Sequence, residues 1–315
     1  MLHVIDRIVE HGAAVKEFHL RRADDAPLAP WRAGSHIVLR FADAQGRDHE
    51  RHYSLVGAPG QAQAYRIAVQ REEGGRGGSR SLHDEFAAGG EVEVDGPFDS
   101  FPLAPAGEGA RTLLVGGGIG ITPLISLAHA AQAQGRAFTL HHLVRSAGRR
   151  VLQDELALLP AAALAWHVSS EAGRADLDRL LGPYGEGDVC HACGPAPLLQ
   201  ALAEAAARQG WPAKALHVES FGARARQGDA PLTVELTLSQ MTVEVAPGTS
   251  ILEALIAADV FVSYECRRGE CGSCYAQVLE GEPLHRDVCL TPSMRAQGMC
   301  TCVSWAARER LVLEL

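Results

Sequence analysis

The sequence predicts a multidomain protein in three successive parts: an antiparallel β-barrel, an α/β domain on a parallel sheet, and a small α+β domain. Three observations predict it. Short strand-like runs separated by turn residues fill residues 1–103, strands alternating with helices fill 104–226, and a cysteine-rich stretch lies within 231–315. A chain of 315 residues is long enough for two or three domains of ordinary size.

Composition narrows the function classes. Apolar residues at 47% and charged residues at 21% describe a soluble globular protein. Aromatics are scarce at 5% while glycines number 33, which points to ligand loops lined by backbone. A net charge of −9 argues against nucleic acid and favours a protein partner with a basic face. Eight cysteines without a signal-peptide pattern after Met1 imply a reducing cytoplasm, where thiols serve metal or redox chemistry. The uncharged run 112–135 is long enough to raise a membrane span, but consecutive glycines, Pro123, His129 and two glutamines argue against one. A cytoplasmic monomer without membrane contact is expected.

The first part reads as strands at Val4–Val9, Ser35–Phe41, Tyr65–Gln70 and Glu91–Val94, close enough together for a small antiparallel barrel. Within it stands Arg51-His52-Tyr53-Ser54. Arginine forks a phosphate, tyrosine backs an aromatic ring, and a serine hydroxyl reaches a ring nitrogen. A glycine cluster from Gly74 to Gly78 then leads through Ser79 and Arg80 into a short helix over 81–86, with Ser79 or Ser81 as N-cap and Asp84 and Glu85 in the first turn. Glycines entering a helix beside Arg80 suit an anion. Two phosphate-suited elements flanking one aromatic point to a flavin mononucleotide pocket.

After the connector 102–109, a buried strand at Thr112–Val115 runs into Gly116-Gly117-Gly118-Ile119-Gly120-Ile121-Thr122-Pro123. A helix follows from Pro123, at its first position, to Gln134, with Gly135 just beyond. Only glycine lets backbone N–H groups approach a pyrophosphate so closely, so Gly117, Gly118, Ile119, Gly120 and Pro123 mark a dinucleotide site. The acidic residue that holds a ribose 2′-hydroxyl is missing, since no Asp or Glu lies between Glu108 and Asp154. Arg145, Ser146, Arg149 and Arg150 stand there instead and suit a 2′-phosphate, leaving NADH and NADPH both open. Further strands are read at Phe138–Val144, Ala165–Val168 and Asp188–Ala192, and a helix over Ala196–Gln209. Cys193-Gly194-Pro195 places a small thiol at the sheet's carboxyl edge, near a nicotinamide. Phe221, after the last strand, is of a size to cover a flavin ring.

The polar stretch 224–231 reads as a linker. Beyond it come a hairpin over Leu232–Leu238 and Thr242–Val245, a helix from Ser250 to Ala258 with Ser250 and Glu253 at capping-box spacing, and a strand at Tyr275–Glu280. Thr291-Pro292 opens a short helix, and Leu311–Leu315 closes a sheet edge. Cys266, Cys271 and Cys274 follow C-x4-C-x2-C, and Cys302 comes after 27 intervening residues. That is the ligand spacing of a plant-type [2Fe–2S] cluster, so this part is expected to be a β-grasp ferredoxin domain. Cys300 rivals Cys302 as fourth ligand. The competing reading makes the pairs 271/274 and 300/302 a zinc-holding interaction module.

The three parts in this order resemble the phthalate dioxygenase reductase family, the reductase components of Rieske non-haem iron oxygenases. The resemblance rests on Arg51–Ser54, Gly77-Gly78-Ser79, the 116–123 turn, Cys193–Pro195 and the four cysteines. It implies FMN, favours NADH, and sets Arg51, Ser79 and Arg80 near the flavin phosphate. Tyr53, Ser54, Thr122 and Phe221 would surround the ring, with Ser54, Thr122 and Cys193 as candidate catalytic residues. The implied partner is the oxygenase component of a two-component monooxygenase or dioxygenase. A haem monooxygenase is the alternative acceptor. The surface around Arg267, Arg268 and Glu270 is where that partner is expected to dock.

Overall fold

The structure is a computed structural model that describes residues 1–60, 63–73, 77–221, 229–265, 267–269 and 271–315. The expected ligand Cys266, Glu270, most of the glycine cluster (74–76) and most of the linker (222–228) lie outside the described residues. The chain forms two compact units. One comprises Met1–Glu73, Gly77–Gly194 and Ala201–Glu219, and the other includes Ser220–Leu315 and Pro195–Gln200.

The first unit holds two sheets. Strands β1 (Leu2–His11), β2 (Val15–Arg22), β3 (Ser35–Ala42), β4 (Asp48–Ser54), β5 (Tyr65–Gln70) and β6 (Glu91–Asp99) form a barrel-like antiparallel sheet in the order β4-β3-β6-β1-β2-β5. Alternation along β2, β3 and β5 turns Phe18, Leu20, Ile37, Leu39, Tyr65 and Ile67 into one apolar core. Helix α1 (Gly78–Asp84) lies between β5 and β6. It starts three residues earlier than the sequence predicts. Gly77, with φ of +85°, is its N-cap; Ser79 and Ser81 are inside the helix, and Asp84 is its last residue, held by Arg71 at 2.5 Å. The left-handed glycine makes the turn that a serine cap was expected to make.

The second sheet joins β7 (Thr112–Gly117), β8 (Thr139–Val144), β9 (Leu164–Val168), β10 (Val189–Cys193) and β11 (Leu216–Glu219), all parallel, in the order β11-β10-β7-β8-β9. The chain winds one way from β7 to β9 and then returns to the other side of β7. The switch point is therefore the crevice beyond the carboxyl ends of β7 and β10, where such sheets take ligands. Helices α2 (Ile121–Ala133), α3 (Gln153–Leu156), α4 (Ser169–Ala172), α5 (Leu177–Leu181) and α6 (Ala196–Arg208) make the crossovers. A one-turn 3-10 segment over Gly118–Gly120 precedes α2, so Pro123 is the third helical residue rather than the first. Its missing N–H still falls among those a helix leaves unbonded. The two sheets share a core in which Val15, Val56, Ala68 and Phe101 of the barrel part pack with Leu114, Ile121, Leu124 and Leu140.

The second unit is a mixed sheet gripping one helix. Its strands are β12 (Leu232–Leu236), β13 (Met241–Val245), β14 (Tyr275–Glu280), β15 (Pro283–Leu284), β16 (Gly298–Cys300), β17 (Trp305–Ala306) and β18 (Arg310–Leu313). The five-stranded order is β13-β12-β18-β14-β16, and β15 pairs with β17. Helix α7 (Ile251–Ala257) carries the expected capping box of Ser250 and Glu253, and α8 (Pro292–Arg295) is capped by Thr291. β18 corrects the sequence reading: it pairs in parallel with β12 and antiparallel with β14, inside the sheet and not at its edge. Leu311 and Leu313 are fully buried there. No described helix is long and apolar enough to cross a membrane.

Candidate flavin, nucleotide and iron–sulfur sites

Along β4 the side chains alternate, so Arg51 and Tyr53 share one face while His52 and Ser54 take the other. Arg51 lies over the start of α1: a Cβ on Gly78 would stand 2.8 Å from its Nε and Nη2. A side chain at this position would push the guanidinium aside. A Cβ on Gly77 would meet the guanidinium nitrogens of Arg80 and Arg47 at 3.7 and 3.8 Å and the His49 ring at 4.0 Å. Arg47 is already paired with Asp43 at 2.7 Å, and the guanidinium groups of Arg51 and Arg80 beside these glycines suit an anion with several acceptor oxygens. The buried Nε of Arg80 has no partner among the described residues. These observations fit a flavin phosphate. Ser79 Oγ accepts the Glu72 N–H at 3.0 Å. Tyr53 is half-buried, Ser54 is buried opposite His36, and the exposed His52 ring stacks on His36 at 5.2 Å.

The glycine turn sits at the switch point. Gly118 has φ of +57°, and a Cβ on Gly120 would fall 2.3 Å from the Cys193 carbonyl oxygen. The ends of β7 and β10 thus touch through a glycine, which brings Gly117–Gly120 and Cys193-Gly194 into one crevice. Thr122 Oγ1 donates to the Ile119 carbonyl at 3.0 Å, so this hydroxyl braces the turn. Cys193 is fully buried in the ladder between Gly116 and Glu219, and Pro195 accepts the first backbone N–H groups of α6. The Glu219 carboxylate is buried at the same edge, with Ser100 Oγ donating to it at 3.4 Å and His36 Nδ1 at 2.8 Å from that hydroxyl. Phe221 follows β11 and is partly exposed.

In the second unit, Cys271 is exposed while Cys274 and Cys302 are buried. Thiol contacts from Cys300 and then Cys302 hold the Cys274 thiol below its ordinary range, although among the described residues, which leave out Cys266, no three such side chains gather around one metal position. The Cys274 carbonyl accepts both the N–H and the hydroxyl of Thr301 at 3.1 Å, tying one cysteine to the neighbour of another. The Ser273 N–H donates to Cys271 Sγ at 3.5 Å. The loop turns through left-handed Arg267, Gly269 and Gly272, and a Cβ on Gly269 would fall 2.6 Å from Val303. Soft thiolates close together with N–H donors at sulfur fit a [2Fe–2S] cluster.

Residues 234–307 match the model of the 2Fe-2S iron-sulfur cluster binding domain. The chain is 34% identical to phthalate dioxygenase reductase of Burkholderia cepacia, over 95% of this chain and 92% of that protein. It is 37% identical to the heme-dependent oxidative N-demethylase beta subunit of Ectopseudomonas mendocina, over 91% and 90%. A solved phthalate dioxygenase reductase, described as a modular structure for electron transfer from pyridine nucleotides to [2Fe-2S], superposes with a TM-score of 0.74 at 33% identity, covering 100% of this chain and 98% of the other. The chain belongs to the phthalate dioxygenase reductase family. Like its relatives, this reductase is an NAD(P)H-dependent iron–sulfur flavoprotein of an oxygenase system.

Sequence reasoning missed three residues of this reductase. Arg47, in the turn just before β4 and paired with Asp43, brings a further guanidinium near Gly77. Glu219, at the end of β11, is buried at the crevice edge and carries no sequence signal of its own. Asp287 is fully buried beside the cysteine loop, where Arg295 donates to it at 3.1 Å and Ser304 at 3.3 Å. The next residue, Val288, donates its N–H to Gly269 at 2.9 Å. A lone aspartate in a loop carries no pattern that announces such a role.

Proposed function

We propose that the chain takes electrons from NADH and delivers them, through FMN and a [2Fe–2S] cluster, to a Rieske non-haem iron oxygenase of the aromatic dioxygenase or O-demethylase type. The observation that carries this is the union in one chain of a glycine turn at a parallel-sheet switch point and a thiolate loop matching the iron–sulfur family. When bound, FMN turns the two-electron chemistry of a nicotinamide into single electrons, which the cluster passes on. The residues supply binding and orientation. Arg51, Gly77, Gly78, Ser79 and Arg80, with Arg47, hold the flavin phosphate, and Tyr53, Ser54, Thr122 and Phe221 surround its ring. Gly117, Gly118, Ile119, Gly120 and Pro123 receive the pyrophosphate, while Cys193, Gly194 and Pro195 bound the nicotinamide. Cys266, Cys271, Cys274 and Cys302 bind iron. All these sites come from one chain, which supports a monomer, and thiols committed to metal chemistry fit a reducing cytoplasm.

Anaerobic NADH should bleach the flavin and iron–sulfur absorbance, and a purified Rieske oxygenase should reoxidise the protein as its aromatic substrate is consumed. A second reading replaces that acceptor with a haem monooxygenase. It draws on the haem-dependent N-demethylase subunit and on a self-sufficient cytochrome P450 monooxygenase, 36% identical with a TM-score of 0.69, of which this chain spans 41%. Reoxidation by a haem partner and by no Rieske oxygenase would favour the second reading.

A further inference from the structure

His142 lies in β8, between Gly116 of β7 and Trp166 of β9 in the ladder, and is 2% exposed. Its Nε2 is 3.0 Å from the Gly118 carbonyl oxygen, in the middle of the glycine turn. A carbonyl only accepts, so Nε2 carries the hydrogen. The same oxygen also accepts the Ile121 N–H, the first of α2. Gly118 is thereby held from two directions: by its own helix, and by a side chain from the neighbouring strand. Burial, the largest influence, pushes the His142 ring down to about 4 despite the Gly118 bond, with Arg150 lowering it further, so the ring is neutral near pH 7. Nδ1 is then a bare acceptor, buried without a partner among the described residues. The ring packs at 5.1 Å on Trp166, over which Arg150 stacks at 4.8 Å. An apolar side chain would suit this pocket better than a ring with a stranded nitrogen. The bond to Gly118 is what a histidine adds.

We propose that His142 is a positioning residue for the pyridine nucleotide, its Nε2–H fixing the Gly118 peptide so that the glycine turn is preset to receive the pyrophosphate. This rests on the reading of that turn as the nucleotide site. Presetting matters because a left-handed glycine peptide rotates at little cost unless something holds it, and ordering it on binding weakens affinity.

The test compares two side chains of equal reach in the holoenzyme: His142→Gln, whose amide can donate to Gly118, and His142→Met, which cannot. Both lose the ring contact with Trp166, so their difference isolates the hydrogen bond. The probe is ADP-ribose, which carries the pyrophosphate without the reacting ring, titrated by calorimetry. His142→Met is expected to bind it about tenfold more weakly than wild type and His142→Gln within about twofold, the scale of one buried neutral hydrogen bond. Equal affinities for the two variants overturn the proposal. In the wild type, ring 15N shifts should show a neutral His142 protonated on Nε2, and protonation on Nδ1 overturns it even where a variant misfolds. Wild type failing to bind ADP-ribose sinks the nucleotide reading and this proposal together, whereas wild-type binding with equal variants sinks this proposal alone.

Discussion

Arg66 on β5 donates to Glu155 on α3 at 2.5 Å while its Nε donates to Glu17 on β2 at 2.7 Å. Glu17 is also 2.8 Å from His11 and 2.9 Å from His19, and Glu155 is 2.9 Å from His129. One guanidinium thus joins carboxylates of the barrel and of the parallel-sheet part, both nearly buried. Removing it leaves two buried acceptors under-compensated. Arg66→Met is expected to lower unfolding free energy by about 2–3 kcal/mol, read by urea denaturation. A loss under about 0.5 kcal/mol would mean the pairing behaves like a surface ion pair.

The same network sets an acid limit. Burial is the strongest influence on Glu17 and pushes its carboxyl up, but hydrogen bonds from His11, His19 and Arg66 outweigh it and hold the group well below 4.5. Glu155 is also lowered, through His129 first, then Arg66, against burial. Groups depressed in the folded state stabilise it fully above their unfolded value and lose that stabilisation as pH falls through the folded one. The carboxylates' contribution should be level from neutral pH to about 5 and then fall on acidification, less steeply in Glu17→Gln, while histidines lowered by burial, His141, His142 and His191, start the decline already below about 6.5. The urea midpoint against pH checks this; a midpoint that rises on acidification contradicts it.

Gly120→Ala would drive a Cβ to 2.3 Å from the Cys193 carbonyl, where backbone meets backbone and no side chain can yield. The ends of β7 and β10 must then part. NADH affinity is expected to fall by at least about tenfold while the flavin content stays that of wild type. Flavin lost along with nucleotide affinity would show that the damage is not local.

Around the flavin phosphate, Arg47→Met should weaken FMN retention about tenfold, as one charge-assisted bond is lost. Gly78→Ala should do likewise by displacing the Arg51 guanidinium. The ratio of flavin to protein absorbance after dialysis reads both. An unchanged ratio in Arg47→Met removes Arg47 from the site.

Cys302→Ser should lose the visible iron–sulfur absorbance and acid-labile sulfide yet still reduce ferricyanide with NADH. Cys300→Ser should keep the cluster. The reverse pair of results would make Cys300 the ligand, since both thiols contact Cys274.

Much of this was legible in the sequence because the decisive patterns are local. The C-x4-C-x2-C spacing, the glycine turn after a buried strand and the Ser250–Glu253 capping box each fix geometry within a few residues. What sequence missed depends on long-range pairing. β18 reads as an edge because its partners β12 and β14 lie far away in the chain. The α1 cap was misplaced because serine is the commoner cap, whereas here Gly77 turns left-handed beneath three arginine side chains. His142 gives no signal at all until the fold sets it beside Gly118.

The interior position of β18 has a consequence for biosynthesis. Residues 310–313 are the central rung on which β12 and β14 both rest, and among the described strands of that sheet they are the last to be made. The thiolate loop emerges earlier, yet its scaffold stays incomplete until that strand arrives. Iron loading of this unit is therefore expected to wait for late translation, and a message cut short before the codon for Arg310 would leave the thiolate loop without its central strand.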